Sequence, residues 1–503
     1  MKRQFIFIMT DTTRWDMLGC YGNPQMRTPR LDDMAARGLR FDRAYTTQPV
    51  CGPARAGLFT GMYPHSCGSW ANAMPLGADI RHLGQWVRKA GIHTAYIGKW
   101  HLDGGDYFGK GVCPEGWDPE YWYDMKNYLD EMDEAERFRS RQAGTSDEGI
   151  ASDYTFGHRV TQRALDFIGT HADQDYLLVV SYDEPHDPFL CPPPYSQMYQ
   201  DYVFDSPALE DDLKDKPLYQ RLWAQISAGP EDEGAKTGNR RLMRCNSYAD
   251  ELIGQVLDAA REQAPEATLL FTSDHGDAMD AHRLSMKGPS VYDDISRIPL
   301  IFEGPRVPRG AVYPHTVSHI DLPATVLDCL DIPLPRSFQG SSLRPQVQGD
   351  SAPTGRPAFI EFNRYEVDHD GFGGFQPMRA MVTDDYKLAL HLCDSDELYE
   401  LSSDPHDLHN RIDDPALAAT RDRLHDQLLE WMNVTRDPFR GYQWRCRPWR
   451  KDARPQWRVD GYTRQPENEP GEPRQLDYAT GLEMETATRW KAGAGHAPPP
   501  EEN

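Results

Sequence analysis

The sequence predicts an α/β fold: a large, mixed, mainly parallel sheet sandwiched by helices, with a smaller C-terminal α+β domain carrying an antiparallel sheet. Three observations predict it. Apolar runs such as Gln4 to Thr10 (QFIFIMT) and Tyr176 to Tyr182 (YLLVVSY) lack polar alternation, the mark of strands buried on both faces. Segments with helical apolar spacing separate these runs, and strands alternating with helices build parallel sheets. Late in the chain the strands become short and close together, with little helix between them.

In order, Gln4 to Thr10 is a buried strand ending at Asp11, and Leu31 to Gly38 is a helix closed by its glycine. Ile80 to Ala90 is a second helix stopped at Gly91, and His93 to Ile97 is the strand after it. Tyr154 to Ile168 has helical spacing and leads to the strand at Tyr176. Leu242 to Ala260 is a long helix, Thr268 to Thr272 (TLLFT) a strand, and Ile298 to Phe302 another. The acidic stretch Asp201 to Gly238 shows little apolar periodicity and reads as a surface insertion. Met378 to Val382, Tyr386 to His391 and Leu398 to Leu401 are the antiparallel strands, followed by a helix from Pro415 to Met432. The Gly-rich stretch Gly371 to Phe375 marks the boundary, giving domains 1–375 and 376–503, the latter ending in an extended tail whose last segment, Ala492 to Asn503, is expected to be disordered.

At roughly 150 residues per domain, 503 residues ask for two or three domains. The charge, 54 basic against 78 acidic residues for a net −24, argues against nucleic-acid or anionic-membrane partners. The apolar run Phe5 to Met9 is too short for a signal peptide, and nothing approaches the roughly 20 apolar residues of a membrane span. A soluble cytoplasmic protein is therefore the expectation. The nine cysteines are scattered without zinc spacing, so eight read as reduced structural thiols; Cys51 is the exception.

Four segments carry chemistry. They are Asp11 at the end of the first strand; Cys51-Gly-Pro-Ala-Arg55-Ala-Gly-Leu-Phe-Thr-Gly61; the pair Gly98-Lys99-Trp100-His101 and Glu184-Pro185-His186; and Ser273-Asp274-His275-Gly276 with Met286-Lys287-Gly288. Taken singly, each has a plainer explanation. Asp11 would cap a helix, Asp274-His275-Gly276 would be a capping turn, Cys51 a buried thiol, and each histidine a satisfied core or surface residue. Most of these groups follow expected strands, and ligands gather at the carboxyl ends of strands in open parallel sheets.

Cys-x-Pro-x-Arg followed by Leu-Phe-Thr-Gly resembles the signature of the type I, formylglycine-dependent sulfatases of the alkaline phosphatase superfamily. The run Asp11 to Gly22 resembles that family's opening, with Thr12 where a second Asp is usual. The likeness extends from about Gln4 to Met432 and implies an alkaline-phosphatase-like fold. It implies that Cys51 is oxidised to formylglycine, whose hydrate supplies a nucleophilic oxygen. It assigns Asp11, Cys51, Asp274 and His275 to a divalent metal, calcium by family expectation, with manganese or magnesium as alternatives. It places Lys99 and Lys287 on the sulfate, His101 on the diol and His186 on the leaving oxygen. Arg55 would hold the diol and the metal-bound carboxylates, and Lys287 is the alternative to His186 as proton donor. The implied partners are a small sulfate ester, a sulfated sugar first of all, and a formylglycine-generating or anaerobic sulfatase-maturing enzyme.

The implied function is sulfuric ester hydrolysis, at O-sulfate on a carbohydrate. The ending Arg447-Pro-Trp-Arg450 looks like that of sulfatases acting on sulfated uronates, such as glycosaminoglycan fragments. The basic-aromatic run Arg440 to Arg450 would then reach the pocket rim, or else pack as a tail. His65, Trp70 and His282 are further candidates for lining the pocket, against simple packing roles. The competing activity is phosphonate monoester or phosphodiester hydrolysis in the same superfamily, favoured by Thr12 and the Asp274-His275 pair and opposed by Lys99 and His101. A non-catalytic anion-binding protein would require Cys51 to stay a thiol.

Overall fold

This computed structural model describes residues 2–227, 232–350, 355–366 and 374–451. Residues 371–373 of the boundary stretch and the tail expected to be disordered at 492–503 lie outside the described residues. The chain divides into two compact units, Met1–Leu417 and Ala418–Asn503.

Among the described residues, the first unit holds two sheets. The larger is built from β1 (Gln4–Thr10), β2 (Leu39–Tyr45), β3 (His93–Gly98), β4 (Tyr176–Ser181), β5 (Thr268–Ser273), β6 (Arg297–Ile298), β7 (Leu300–Glu303) and β8 (Ala311–Ser318). Their order is β3-β4-β1-β5-β7-β2-β6, with β8 on β2. The run β3-β4-β1-β5 is parallel throughout, whereas β7 is antiparallel to both β5 and β2. Side chains alternate across a strand, so β1 sends Phe5, Phe7 and Met9 into one helical layer and Ile6 and Ile8 into the other. Burying each such side chain contributes about 1.5–3 kcal/mol, and neither face can be left to water. That requirement makes the runs of β1 and β4 continuously apolar.

The helices that matter here are α1 (Pro29–Arg37), α2 (Cys51–Thr60), α3 (Leu83–Lys89), α4 (Phe156–His171), α5 (Leu218–Ile226), α6 (Glu233–Gln263) and α7 (Asp321–Cys329). Gly38 follows α1 as expected, and α6 is the long helix, extended at its start beyond the expected Leu242. The strand expected at Ile298 to Phe302 is two strands, because Pro299 lacks the N–H that a continuous ladder needs.

The smaller sheet has four antiparallel strands, β9 (Ala358–Arg364), β10 (Phe375–Val382), β11 (Tyr386–His391) and β12 (Glu397–Glu400), in the order β12-β11-β10-β9. Strand β9 is one more than the sequence predicts. The stretch Asp201 to Gly238 differs from its expectation as a surface insertion. It contains α5 and the start of α6, and buries Asp211, Lys216, Gln220 and Trp223. Lys216 Nζ donates to Tyr399 Oη at 2.8 Å, and Gln220 Nε2 lies 3.2 Å from Glu397 Oε2, so the stretch is tied to the small sheet.

In the second unit, α8 (Ala418–Val434) buries Leu424, Leu428 and Met432. Among the described residues no helix is long and apolar enough to cross a membrane.

Candidate active site

Four neighbouring parallel strands deliver the site. β1 ends at Thr10 and is followed by Asp11; β3 is followed by Lys99, β4 by Asp183, and β5 by Asp274 and His275. Because these strands are adjacent and point the same way, their carboxyl ends converge on one crevice. Gly98 is required there: its φ is +123°, and a Cβ would sit 1.8 Å from the Ser181 carbonyl oxygen of the neighbouring strand.

Cys51 is the first residue of α2, at the helix end whose free N–H groups carry partial positive charge. Its entry is pinned by Asn72, whose Oδ1 accepts from Gly52 N at 2.8 Å. Around the sulfur stand Lys287 Nζ at 2.9 Å, His275 Nε2 at 3.2 Å and Asp11 Oδ1 at 3.6 Å. One turn along α2, the fully buried Arg55 spans the floor. It donates to Asp11 Oδ2 at 3.0 Å, Asp274 Oδ2 at 3.1 Å, the Lys99 carbonyl at 2.8 Å and Ser181 Oγ at 2.8 Å. Lys99 Nζ bridges Asp11 at 2.9 Å and Asp183 at 3.0 Å. Thr12, at φ +69°, donates its hydroxyl to Asp11 Oδ1 at 2.7 Å and its N–H to Asp274 Oδ1 at 3.1 Å.

So many buried charges shift one another. Burial alone would raise Asp11, but Lys99, Lys287, His186 and Arg55 outweigh it and hold the carboxyl well below its usual range. Burial and the charge of Asp11 push Asp274 upward. Burial and Asp11 would also raise the Cys51 thiol, yet Lys287, Lys99 and His275 prevail and draw it well below its ordinary value. Burial, helped by the charges of Lys99 and Arg55, lowers the His101 imidazole and so favours the neutral ring, although the hydrogen bond to Cys51 acts the other way.

Asp11, Cys51, Asp274 and His275 each present a ligand atom, and the four atoms lie within 4.8 Å of one another. All four residues are buried. Two carboxylates and a depressed thiol packed this closely form an anionic cradle that a divalent cation would neutralise, so the donor set fits a metal.

The structure therefore brings together Asp11, Cys51, Arg55, Lys99, His101, Asp274, His275 and Lys287. His186 sits nearby, 13% exposed at its side chain, with Nδ1 2.8 Å from Asp187 Oδ1 and 3.2 Å from Tyr107 Oη. Burial disfavours its charged form, but Asp187 overcomes this and lifts the ring to about 10. Sequence reading missed Asp183 and Tyr107. Tyr107 Oη donates to Asp183, and the Lys99 ammonium lies 3.9 Å from the centre of its ring. Asp183 directly precedes the Glu184-Pro185-His186 segment already singled out, which is the signal that could have found it. Tyr107 lies in a glycine-rich loop without periodicity and gave none.

Of the other candidates, His65 and His282 are buried on carboxylate partners. His65 Nδ1 is bonded to Glu361, whose other oxygen accepts from His65 N at 2.8 Å. The Trp70 carbonyl accepts from Gln48 Nε2 at 3.0 Å. His282 is buried against Asp211. In the second unit Trp444 is buried, its carbonyl lies 2.7 Å from His425 Nε2, and Arg450 Nη1 meets Asp426 at 3.0 Å. The basic-aromatic run is thus packed on α8.

Comparisons with known proteins follow the same outline. The family described as Sulfatase matches residues 3–332, and that described as N-sulphoglucosamine sulphohydrolase, C-terminal, matches residues 286–434. The uncharacterized sulfatase YidJ of Escherichia coli (strain K12) is 45% identical over 499 residues, covering 96% of this chain and 97% of that protein. The N-acetylglucosamine-6-O-sulfatase of Bacteroides thetaiotaomicron is 24% identical over 85% of this chain and 86% of its own. Among solved structures, the phosphonate monoester hydrolase of Agrobacterium radiobacter superposes with a TM-score of 0.73 at 21% identity, covering 86% of this chain and 96% of that one. At that identity the likeness speaks for the alkaline-phosphatase-like fold.

Proposed function

Because the chain belongs to the sulfatase family of sulfuric ester hydrolases, we propose that it hydrolyses O-sulfate on a carbohydrate, using a formylglycine made from Cys51 beside a divalent cation. The observation that carries this reading is the meeting of Cys51, Lys99, Lys287 and the Asp11–Asp274–His275 set at one buried point. Calcium is the proposed ion, since the donors become oxygen-rich once the sulfur of Cys51 is replaced; manganese and magnesium are the alternatives. In this reading residues 1–375 carry the catalytic groups and residues 376–503 form the C-terminal subdomain.

Formylglycine supplies an oxygen nucleophile, and the cation supplies Lewis acidity at that point. The chain's own residues do the rest. Lys99 and Lys287 offset the charge of the sulfate oxygens. Arg55 holds Asp11 and Asp274 in register through its two donor edges. His101, held neutral, accepts a proton at the position of Cys51, and His186, held charged by Asp187, donates one to the leaving sugar oxygen. Tyr107 and Asp183 fix Lys99 and flank His186.

The substrate is proposed as a small sulfated oligosaccharide, a uronate or glycosaminoglycan fragment, met in the cytoplasm after import. The relatives that act on N-acetylglucosamine-6-O-sulfate and on Δ4,5-hexuronate-2-O-sulfate support this class. Its test is release of inorganic sulfate from a panel of sulfated disaccharides by enzyme whose Cys51 peptide has been shown by mass spectrometry to be converted. Release from none of them, with conversion complete, overturns the carbohydrate assignment.

One alternative has a specific observation in its favour. Thr12 stands where a second Asp would be, and His275 is in the cradle, a set that suits a phosphonate monoester hydrolase. Lys99 and its two carboxylate partners favour the sulfatase reading.

A further inference from the structure

Lys287 ends an unusual segment. Met279, Asp280, His282, Arg283 and Met286 all have positive φ, between +47° and +70°, and none is glycine. Two backbone bonds close the segment on itself, Ala278 N to the Met286 carbonyl at 2.8 Å and Asp280 N to the Leu284 carbonyl at 3.0 Å. Such a run of sparsely populated backbone persists only where its surroundings over-determine it.

The surroundings come from the stretch between β4 and α6. Asp211 Oδ2 lies 2.7 Å from His282 Nδ1, with side chains 4% and 1% exposed. The His282 ring stacks on Tyr292 at 3.6 Å and 15°, and Tyr292 Oη donates to Gln220 Oε1 at 2.6 Å. Ser227 Oγ meets Ser285 Oγ at 3.0 Å. Beyond Lys287, Gly288 lies against the Trp223 ring so closely that a Cβ would come within 2.8 Å of it, and Tyr219 Oη donates to the Pro289 carbonyl. Residues 211–227 therefore hold the segment on both sides of Lys287. Lys287 Nζ in turn lies 2.9 Å from Cys51 Sγ.

We propose that residues 211–227 are a clamp for Lys287, with Asp211 and His282 as its positioning residues: they hold the strained segment in the one conformation that brings the ammonium to Cys51. The clamp rests on the sulfatase reading, because it acts through Lys287. Without the Asp211 carboxylate, His282 Nδ1 loses its buried acceptor and the ring keeps Asp294, 3.7 Å from Nε2; the segment then relaxes toward ordinary backbone, and Lys287 withdraws from the reacting centre. Asparagine at 211 keeps an acceptor for the Nδ1–H of His282, whereas alanine does not.

The test is a double-mutant cycle on the matured, metal-loaded full chain, with kcat measured on an aryl sulfate well below the lowest melting temperature of the set. Lys287→Ala alone is expected to lower kcat about 100-fold, Asp211→Ala about 10-fold, and Asp211→Asn less than about 3-fold. The double variant Asp211→Ala/Lys287→Ala is expected to match Lys287→Ala within about 2-fold, because neighbours acting through one group are not additive. A further 10-fold loss in the double variant, as a general folding defect would give, overturns the clamp, as does an Asp211→Ala enzyme with unchanged kcat. Full activity in Lys287→Ala would instead remove the functional reading itself, and the clamp with it.

Discussion

The ammonium of Lys99 lies 3.0 Å from the carboxylate of Asp183, with both side chains buried. Lys99 is shared between this residue and Asp11, so its position is fixed from two sides. Lys99→Ala is predicted to lower kcat by about 10²–10³, the usual cost of removing one charge-stabilising donor. Asp183→Asn leaves Asp11 in place and is predicted to cost about 10-fold. Initial rates on one aryl sulfate check both, and equal losses would contradict the division of labour.

The anionic cradle predicts metal-dependent stability. Asp11 and Asp274 are buried with Arg55 between them, and a cation bound only by the folded state stabilises it by about 2.7 kcal/mol at 100 times its Kd. Calcium added to chelator-treated protein is expected to raise the melting temperature. Asp11→Asn and Asp274→Asn are expected to abolish that rise, as read by calorimetry.

His186 predicts a pH effect with a definite sign. Its pKa is raised to about 10 because Asp187 outweighs burial. In the proposed mechanism the charged ring is the proton donor, so that donor is present below about pH 10 and lost above it. In Asp187→Asn, burial and the charges of Lys287 and Lys99 are opposed by Asp11 but no longer by Asp187, and the alkaline limb of kcat is expected to move down. A limb that stays in place would assign the proton to another group.

How far the sequence anticipates the structure depends on how each residue is buried. β1, β3, β4 and β5 lie in the middle or parallel part of the sheet, where both faces are covered, so their apolar runs are continuous and visible. β2 (LRFDRAY) is half-buried and β8 (AVYPHTVS) contains a proline, and neither reads as a strand. The motif residues at strand ends could be placed because the strands before them could. Asp183 follows the legible strand β4 and could have been placed in the same way, but Tyr107 could not, because its role comes from a contact with Asp183 across 76 positions of sequence. In residues 211–227, Leu218, Tyr219, Leu222, Trp223 and Ile226 do have helical spacing, and the acidic flanks masked it.

Glu397 predicts the acid side of stability. Burial would raise it, but the hydrogen bond and charge of His391, with help from Lys216 and Tyr399, bring it down to about 2. A depressed carboxylate stabilises the fold above its unfolded value of roughly 4.3 and loses that contribution as pH falls toward 2. The stability difference between the native chain and Glu397→Gln, measured by denaturant unfolding, is expected to be largest at pH 6 and to shrink below pH 4. A difference that is constant with pH would mean that the glutamate is not the charged partner.

The proposed preference for sulfate rests on Lys99 and Lys287, both at the reacting centre. The most direct measurement uses the matured enzyme, with conversion of Cys51 confirmed, and compares initial hydrolysis rates of a sulfate ester and a phosphonate monoester of the same phenol. A clear preference for the sulfate ester is expected, and its loss in Lys99→Ala. A clear preference for the phosphonate ester would contradict it and make the Asp274–His275 pair, with Thr12 beside it, the better guide to the chemistry.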